Sequence, residues 1–338
     1  MNNKSPADTR MQTSAILAIS SLDRYTRADG NNQSQLFAIP LIQQYNNSGQ
    51  PCNNFTITSG GALIYGYIKK IQVAQTQLQY NIPTVNVNNC ILQIDSYTNN
   101  LPTGQLSIAI PFGFYTPAEL AAQVELLIVS YHTPPFDVGF TVTYDPLTGF
   151  SFSTNNLIYK IKFRDINAYL AAGIFPVSDA NNFIRAYKLF GFDVQNCVEP
   201  PNFTQISTNI PQMLYTSYID IISQTLTKYQ KVKDTDSSAQ KQADIISRIY
   251  LAGTGNPQPT AGDANVYPLG SRPFTVVQDM NYCKTMRWSK DEAINSIDFQ
   301  LKDQYGDLIF QGIVQDNIQD EFYYTEFQMT LLCIEEQD

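Results

Sequence analysis

His132 is the only histidine in the chain, and a serine or cysteine hydrolase triad or a histidine-rich metal site would have to use it. It follows an amphipathic helix and precedes Pro134-Pro135, with no Ser or Cys nucleophile pattern nearby. The bland alternative is an imidazole at a helix C-terminus, where partial positive charge suits the dipole. Asp298, Asp303 and Asp307 form the densest group of carboxylates, the type that does acid–base work in pairs or holds Ca²⁺. Asp303-Gln-Tyr-Gly306-Asp307 is also what a tight turn requires, Asp opening it and Gly taking a positive φ, and the turn reading is preferred. The glycines of Ser59-Gly60-Gly61 lack a following Lys and helix. Those of Ala252-Gly253-Thr254-Gly255 lack the downstream Gly and helix of a dinucleotide site. Phe140, Tyr144, Phe150 and Phe152 could stack sugars or bases, but their alternation beside an amphipathic helix reads as core. No residue emerges as catalytic, cofactor-binding or metal-ligating, no cofactor is implied, and an enzyme is not expected.

The charge balance points the same way. The formal net charge is -9, which argues against a nucleic-acid partner, because phosphate contact needs clustered Lys and Arg. The longest basic cluster, Lys228 to Lys233, is followed at once by Asp234 and Asp236 and reads as a solvated loop. Only 15% of residues are charged, while Tyr and Phe number 21 and 19, so the surface is rich in amides and aromatics and suits protein–protein contact. The cysteines, Cys52, Cys90, Cys197, Cys283 and Cys333, are odd in number and scattered. They suggest neither a disulfide framework nor a zinc site, and fit a reducing compartment. No signal peptide and no membrane span of about 18 apolar residues can be read, so a soluble chain is expected. The sequons at Asn32, Asn46, Asn54 and Asn202 read as accidents of an Asn-rich composition.

The elements around these residues are mostly strands. Residues 1–62 read as an N-terminal arm, with apolar bursts at Ala15–Ile19 and Leu36–Ile42, pairing with the edge of the main sheet or with a neighbouring subunit. Ile68–Tyr80 is a long strand whose second half sets Ala74, Thr76, Leu78 and Tyr80 against Gln75, Gln77 and Gln79. Cys90–Ile94 and Gln105–Ile110 continue the β pattern. Thr116 as N-cap, Pro117 at the first helical position and Glu119 closing a capping box start a helix. Its stripe is Leu120, Val124, Leu127, Ile128 and Tyr131. A hairpin turning at Asp145-Pro-Leu-Thr-Gly149, a third strand over 157–163 and a second helical pattern follow. Later come strands over 213–226 and 244–251, a short one at 274–277, a candidate central strand over 282–288, an alternating one at Ile297, Phe299 and Leu301, and a last one from Tyr323 to Cys333. Long loops are expected at 228–241 and 252–273. The sum is a mainly β, antiparallel β-sandwich, a single jelly roll with an α+β insertion and an extended arm. The expected divisions are an arm 1–62, jelly roll 63–111, α+β insertion 112–192 and jelly roll 193–338. An immunoglobulin-like sandwich fits the long loops and the insert less well.

The order of a strand, Pro111-Phe-Gly-Phe-Tyr115-Thr116, a capped helix, an aromatic hairpin, a third strand, a helix and Leu189-Phe-Gly-Phe192 resembles one family. It is similar to the penton and minor capsid proteins of large double-stranded DNA viruses of eukaryotes and their virophages. Ser21-Leu-Asp-Arg-Tyr25 is similar to a short N-terminal motif of that group. Lys284–Trp288 followed by Ile297–Gly306 is similar to its final strands. The resemblance implies a structural virion protein, made in the host cytoplasm, that forms a homopentamer at the five-fold vertices of an icosahedral capsid. Its partners would be the major capsid protein and other minor capsid proteins. The alternative is a carbohydrate- or receptor-binding jelly roll serving in virion attachment.

Overall fold

A phase slip in one strand shows how sequence dictates this sandwich. In β3 (Ile68–Tyr80), Ile71 and Val73 are buried, and so are Thr76, Leu78 and Tyr80, although a strict period of two cannot place both sets on one face. The partner β17 (Glu326–Glu335) keeps its period throughout, burying Phe327, Met329, Leu331 and Cys333. The ladder resolves the mismatch with a bulge. Thr330 pairs with Gln75 and Leu331 with Val73, so Ala74 is the extra residue that turns the strand's phase by one.

The computed structural model describes residues 14–21, 53–58, 63, 68–131, 139–154, 159–165, 177–192, 202–229, 244–251, 270, 272–279, 284–288, 292–309, 312–315, 320–323 and 325–335. Before β3 lie β1 (Ser14–Ser20) and β2 (Asn54–Thr58). Then come β4 (Ile91–Thr98), β5 (Leu101–Ala109), helix α1 (Pro117–Val129), β6 (Phe140–Asp145), β7 (Gly149–Thr154), β8 (Tyr159–Phe163), helix α2 (Val177–Leu189) and β9 (Thr204–Ile206). The chain continues through β10 (Tyr218–Ile222), the one-turn helix α3 (Gln224–Thr227), β11 (Ile245–Tyr250), β12 (Phe274–Asp279) and β13 (Thr285–Arg287). It ends with β14 (Ser296–Lys302), the hairpin of β15 (Gly312–Gln315) and β16 (Asp320–Tyr323), and β17.

One sheet runs β1-β17-β3-β12, with β13 extending the β12 side of β3. The other runs β11-β10-β14-β2. Eight strands, taken in chain order as β1, β2, β3, β10, β11, β12, β14 and β17, therefore pair first with eighth, second with seventh, third with sixth and fourth with fifth. Every one of these ladders is antiparallel. That nesting is a single long hairpin rolled over on itself, the jelly roll. Its two inner faces share one apolar core, in which Phe55, Phe299 and Phe327 meet at centroid distances of 5.5–5.9 Å.

Everything from β4 to β9 is an insertion between the third and fourth jelly-roll strands. It has its own three-stranded sheets, β5-β4-β8 and β6-β7-β9, and its own apolar core. α1 starts as the sequence dictates: Thr116 Oγ1 accepts from Glu119 N, and the Glu119 carboxylate accepts from Thr116 N. Leu120, Ala121, Val124 and Ile128 are buried, while Tyr131 leaves the stripe and donates its hydroxyl to Ser107 O at 2.8 Å.

Four expectations change. The arm pairs with sheet edges as expected, β1 on β17 and β2 on β14, but it is not separate from the jelly roll: β1 and β2 are its first and second strands, because Ile19 and Phe55 complete the core between the sheets. The strands over 91–109, assigned to the jelly roll, belong to the insert, since β4 pairs with β5 and β8 and buries its apolar residues with those of α1. The strand expected over 213–226 is confined to β10, because Ser223 caps α3 directly after it. Of the candidate central strand over 282–288, the described part holds the three-residue β13 at the margin of β3, and residues 282 and 283 lie outside the described residues. Ser21 is buried, and its Oγ accepts from Phe327 N; the rest of its motif, Leu36–Ile42 and most of the long loops lie outside the described residues.

Candidate functional site

The carboxylates singled out in the sequence fall into two separate networks. Asp298, on β14, lies under the start of α3, where its oxygens accept from Gln224 N, Thr225 N and Ser223 Oγ. Burial pushes its carboxyl up, but the hydrogen bonds from Thr225 and Gln224 outweigh burial and leave it below the usual carboxylate range. A carboxyl held low in the folded state stabilises above the unfolded value of 3.8 and loses that contribution as pH falls through the folded value. An Asp298→Asn variant is therefore expected to be less stable than the parent at neutral pH and to converge with it under acid. Denaturant midpoints measured at pH 7 and pH 3 check this, and a constant difference would refute it.

Asp303 does open the turn. Its Oδ1 accepts from Tyr305 N and Asp307 N at 2.9 and 3.0 Å, and Gly306 takes φ +81°. Its Oδ2 does something the sequence did not announce: it accepts from the Tyr215 hydroxyl at 3.1 Å and lies 3.7 Å from Arg185 Nη2. That hydroxyl in turn accepts from Asn88 Nδ2 at 2.9 Å and Arg185 Nη1 at 3.1 Å. Arg185 Nη2 also binds Asp307 at 2.6 Å. Its guanidinium sits 4.5 Å from the Tyr305 ring and 5.6 Å from that of Tyr215. Burial raises both the Asp303 carboxyl and the Tyr215 hydroxyl above their ordinary values. Every acceptor of Asp303 is occupied by an amide, a hydroxyl or a cation of the protein, so the group is structural. Arg185 lies inside the Phe183–Phe192 run; the only signal for it is a cation amid the buried Phe183, Ala186 and Tyr187 of α2.

The other candidates scatter. His132, both glycine pairs and Lys231 and Lys233 lie outside the described residues; Lys228 makes an exposed ion pair with Glu292 at 2.8 Å. Phe140, Phe150 and Phe152 are buried in the insert, as their alternation requires, with Tyr144 packed at the edge. Cys90 and Cys333 are free thiols, and burial pushes Cys333 up to about 11, away from thiolate chemistry. Among the described residues, no three His, Cys, Asp or Glu side chains are grouped to hold a metal ion. Likewise, no helix there is long and apolar enough to cross a membrane.

What the surface offers is contact. On the outer face of the second sheet, Tyr218 and Tyr250 meet edge to face, Arg248 lies 4.1 Å over Tyr218, and the same guanidinium grips Asp220 at 2.6 and 2.8 Å. Tyr250 is more than half exposed. Aromatic rings with a pre-ordered Arg are the composition of protein interface centres. On the insert, Leu147, Ile206 and Ile210 stand exposed beside a backbone pinned by Ser207, whose hydroxyl binds both Phe150 and Phe190.

No family model matches the chain, and no curated protein matches it. Among solved structures it is similar to the mavirus penton protein, at 8% identity and a TM-score of 0.49, over 96% of this chain and 99% of that one.

Proposed function

We propose that this chain is a structural capsid subunit, a jelly-roll penton or minor capsid protein that assembles into a five-fold ring at the vertices of an icosahedral shell. The observation that carries the proposal is the architecture. An eight-strand jelly roll wraps its ladders in nested pairs, carries a separately cored α+β insert between its third and fourth strands, and engages its buried carboxylates in its own structure. Jelly rolls of this wrapping serve as shell subunits, as lectins and as metal-centred enzymes. The motif order from Pro111 to Phe192 supports the first of these, and so does a surface of amides and aromatics. The neighbours would be further copies of this chain, the major capsid protein and other minor capsid proteins of the virion.

The carbohydrate-binding alternative asks for an exposed aromatic pair beside Asp or Asn in one loop cluster. Tyr305, in the 303–307 turn, carries Arg185 and Lys188 against its ring at 4.5 and 5.3 Å, which leaves it poorly placed to stack a sugar. Light scattering after size exclusion, at low and physiological salt, tests the proposal. The expected result is a particle of about five times the 38.0 kDa chain. A stable monomer that binds on a glycan screen would overturn it in favour of the lectin reading.

A further inference from the structure

The two apolar cores share no residue, and the border between them is sharp. Leaving the jelly roll, Ile82 belongs to the first core and Val85 to the second; returning, Met213 belongs to the second and Tyr215 to the first. Among the described residues, no β-ladder joins the two parts. What bridges them is polar. At the crossing, the buried Thr84 hydroxyl donates to Gly270 O of the jelly roll at 2.6 Å and accepts from Tyr115 N of the insert at 3.2 Å. From α2, Arg185 reaches across to Tyr215 at the crossing and to Asp303 and Asp307 beyond it.

We propose that the insert and the jelly roll are two bodies jointed at residues 82–85 and 213–215, with Arg185 as the catch that fixes the angle between them. Apolar burial holds each body together but does little across the joint, so orientation rests on directional contacts. Arg185 supplies several of them at once, to the Tyr215 hydroxyl, the Asp303 and Asp307 carboxylates and the Tyr305 ring. Its fork engages two acceptors at once while its plane lies on Tyr305, a geometry that Lys cannot reproduce. A subunit built this way could hold its insert at one angle alone and at another in an assembly.

Hydrogen exchange of the full chain, resolved by mass spectrometry, tests the joint with Arg185→Met. Peptides over 84–90, 213–217 and 303–307 are expected to exchange at least about ten-fold faster than in the parent, with β4 and β17 unchanged. Unchanged exchange at the joint would show that Arg185 is not the catch. Faster exchange in both cores together would show one cooperative body and overturn the hinge itself. If Arg185→Met does not fold, Arg185→Lys is measured against the same outcomes.

Discussion

Phe152→Ala is expected to cost about 3–5 kcal/mol, the usual range for emptying a fully buried phenylalanine site. The ring has no solvent exposure and lies on β7, the middle strand of β6-β7-β9. It packs edge-on against Phe163, Phe190 and Phe192 at 5.2, 5.5 and 5.9 Å. Those neighbours cannot collapse into the void, because each is held by other contacts. Phe163 lies 4.2 Å from Phe192, and the Phe190 carbonyl is fixed by Ser207. Denaturant unfolding followed by tyrosine fluorescence is the check. A loss below about 1 kcal/mol would mean that the insert repacks freely, contrary to its close-packed core.

Arg164→Met is expected to cost as much for a different reason. Arg164 and Asp95 are buried in the insert, Nε to Oδ1 at 2.8 Å, and Arg164 Nη1 also binds Gln93 Oε1 at 2.5 Å. Burial raises the Asp95 carboxyl, and Arg164 opposes that shift. Removing the guanidinium leaves a buried carboxylate unpaired, a loss of about 3–5 kcal/mol. The sign with pH follows. Without Arg164 the folded-state value rises further, a raised carboxyl stabilises least in its ionised form, and the deficit must grow as pH rises through that value and shrink under acid. Unfolding midpoints at pH 4 and pH 7 check the slope. Adding Asp95→Asn should recover a large part of the loss at pH 7, and no recovery would sink the account.

Local signals were readable wherever the partner lay close in sequence. Thr116, Pro117 and Glu119 mark the start of α1, and Asp145 and Gly149 mark the β6–β7 turn, because caps and turns are made within a few residues. The jelly-roll class was legible from strand count and loop length. Strand membership was not. β4 is buried on both faces from Leu92 to Ser96, as a central strand of either part would be, and burial on both faces specifies no neighbour. β1 and β2 looked like an arm because Ile19 and Phe55 bury against residues near the opposite end of the chain. The turn opened by Asp303 was legible, but Arg185 was not legible as the organiser beside it, since its ring and carboxylate partners come from 215 and 303–307.

The nested ladders also set a timetable. Ser14 pairs with Ile334, so β1 must wait for its partner β17 to be made, about 15–60 s at synthesis rates of ~5–20 residues per second. During that interval Ser14–Ser20, an uncharged run of Ser, Ala, Ile and Leu, has no native ladder to join. The insert meets no such delay, because its described strands and both its helices emerge before Tyr215, and it can close its core while five of the eight jelly-roll strands are still unmade. Nascent chains of this protein are thus exposed to misassembly at their N-terminal end first, and a folded insert holding β3 and β10 close together is the natural template on which the remaining strands wrap.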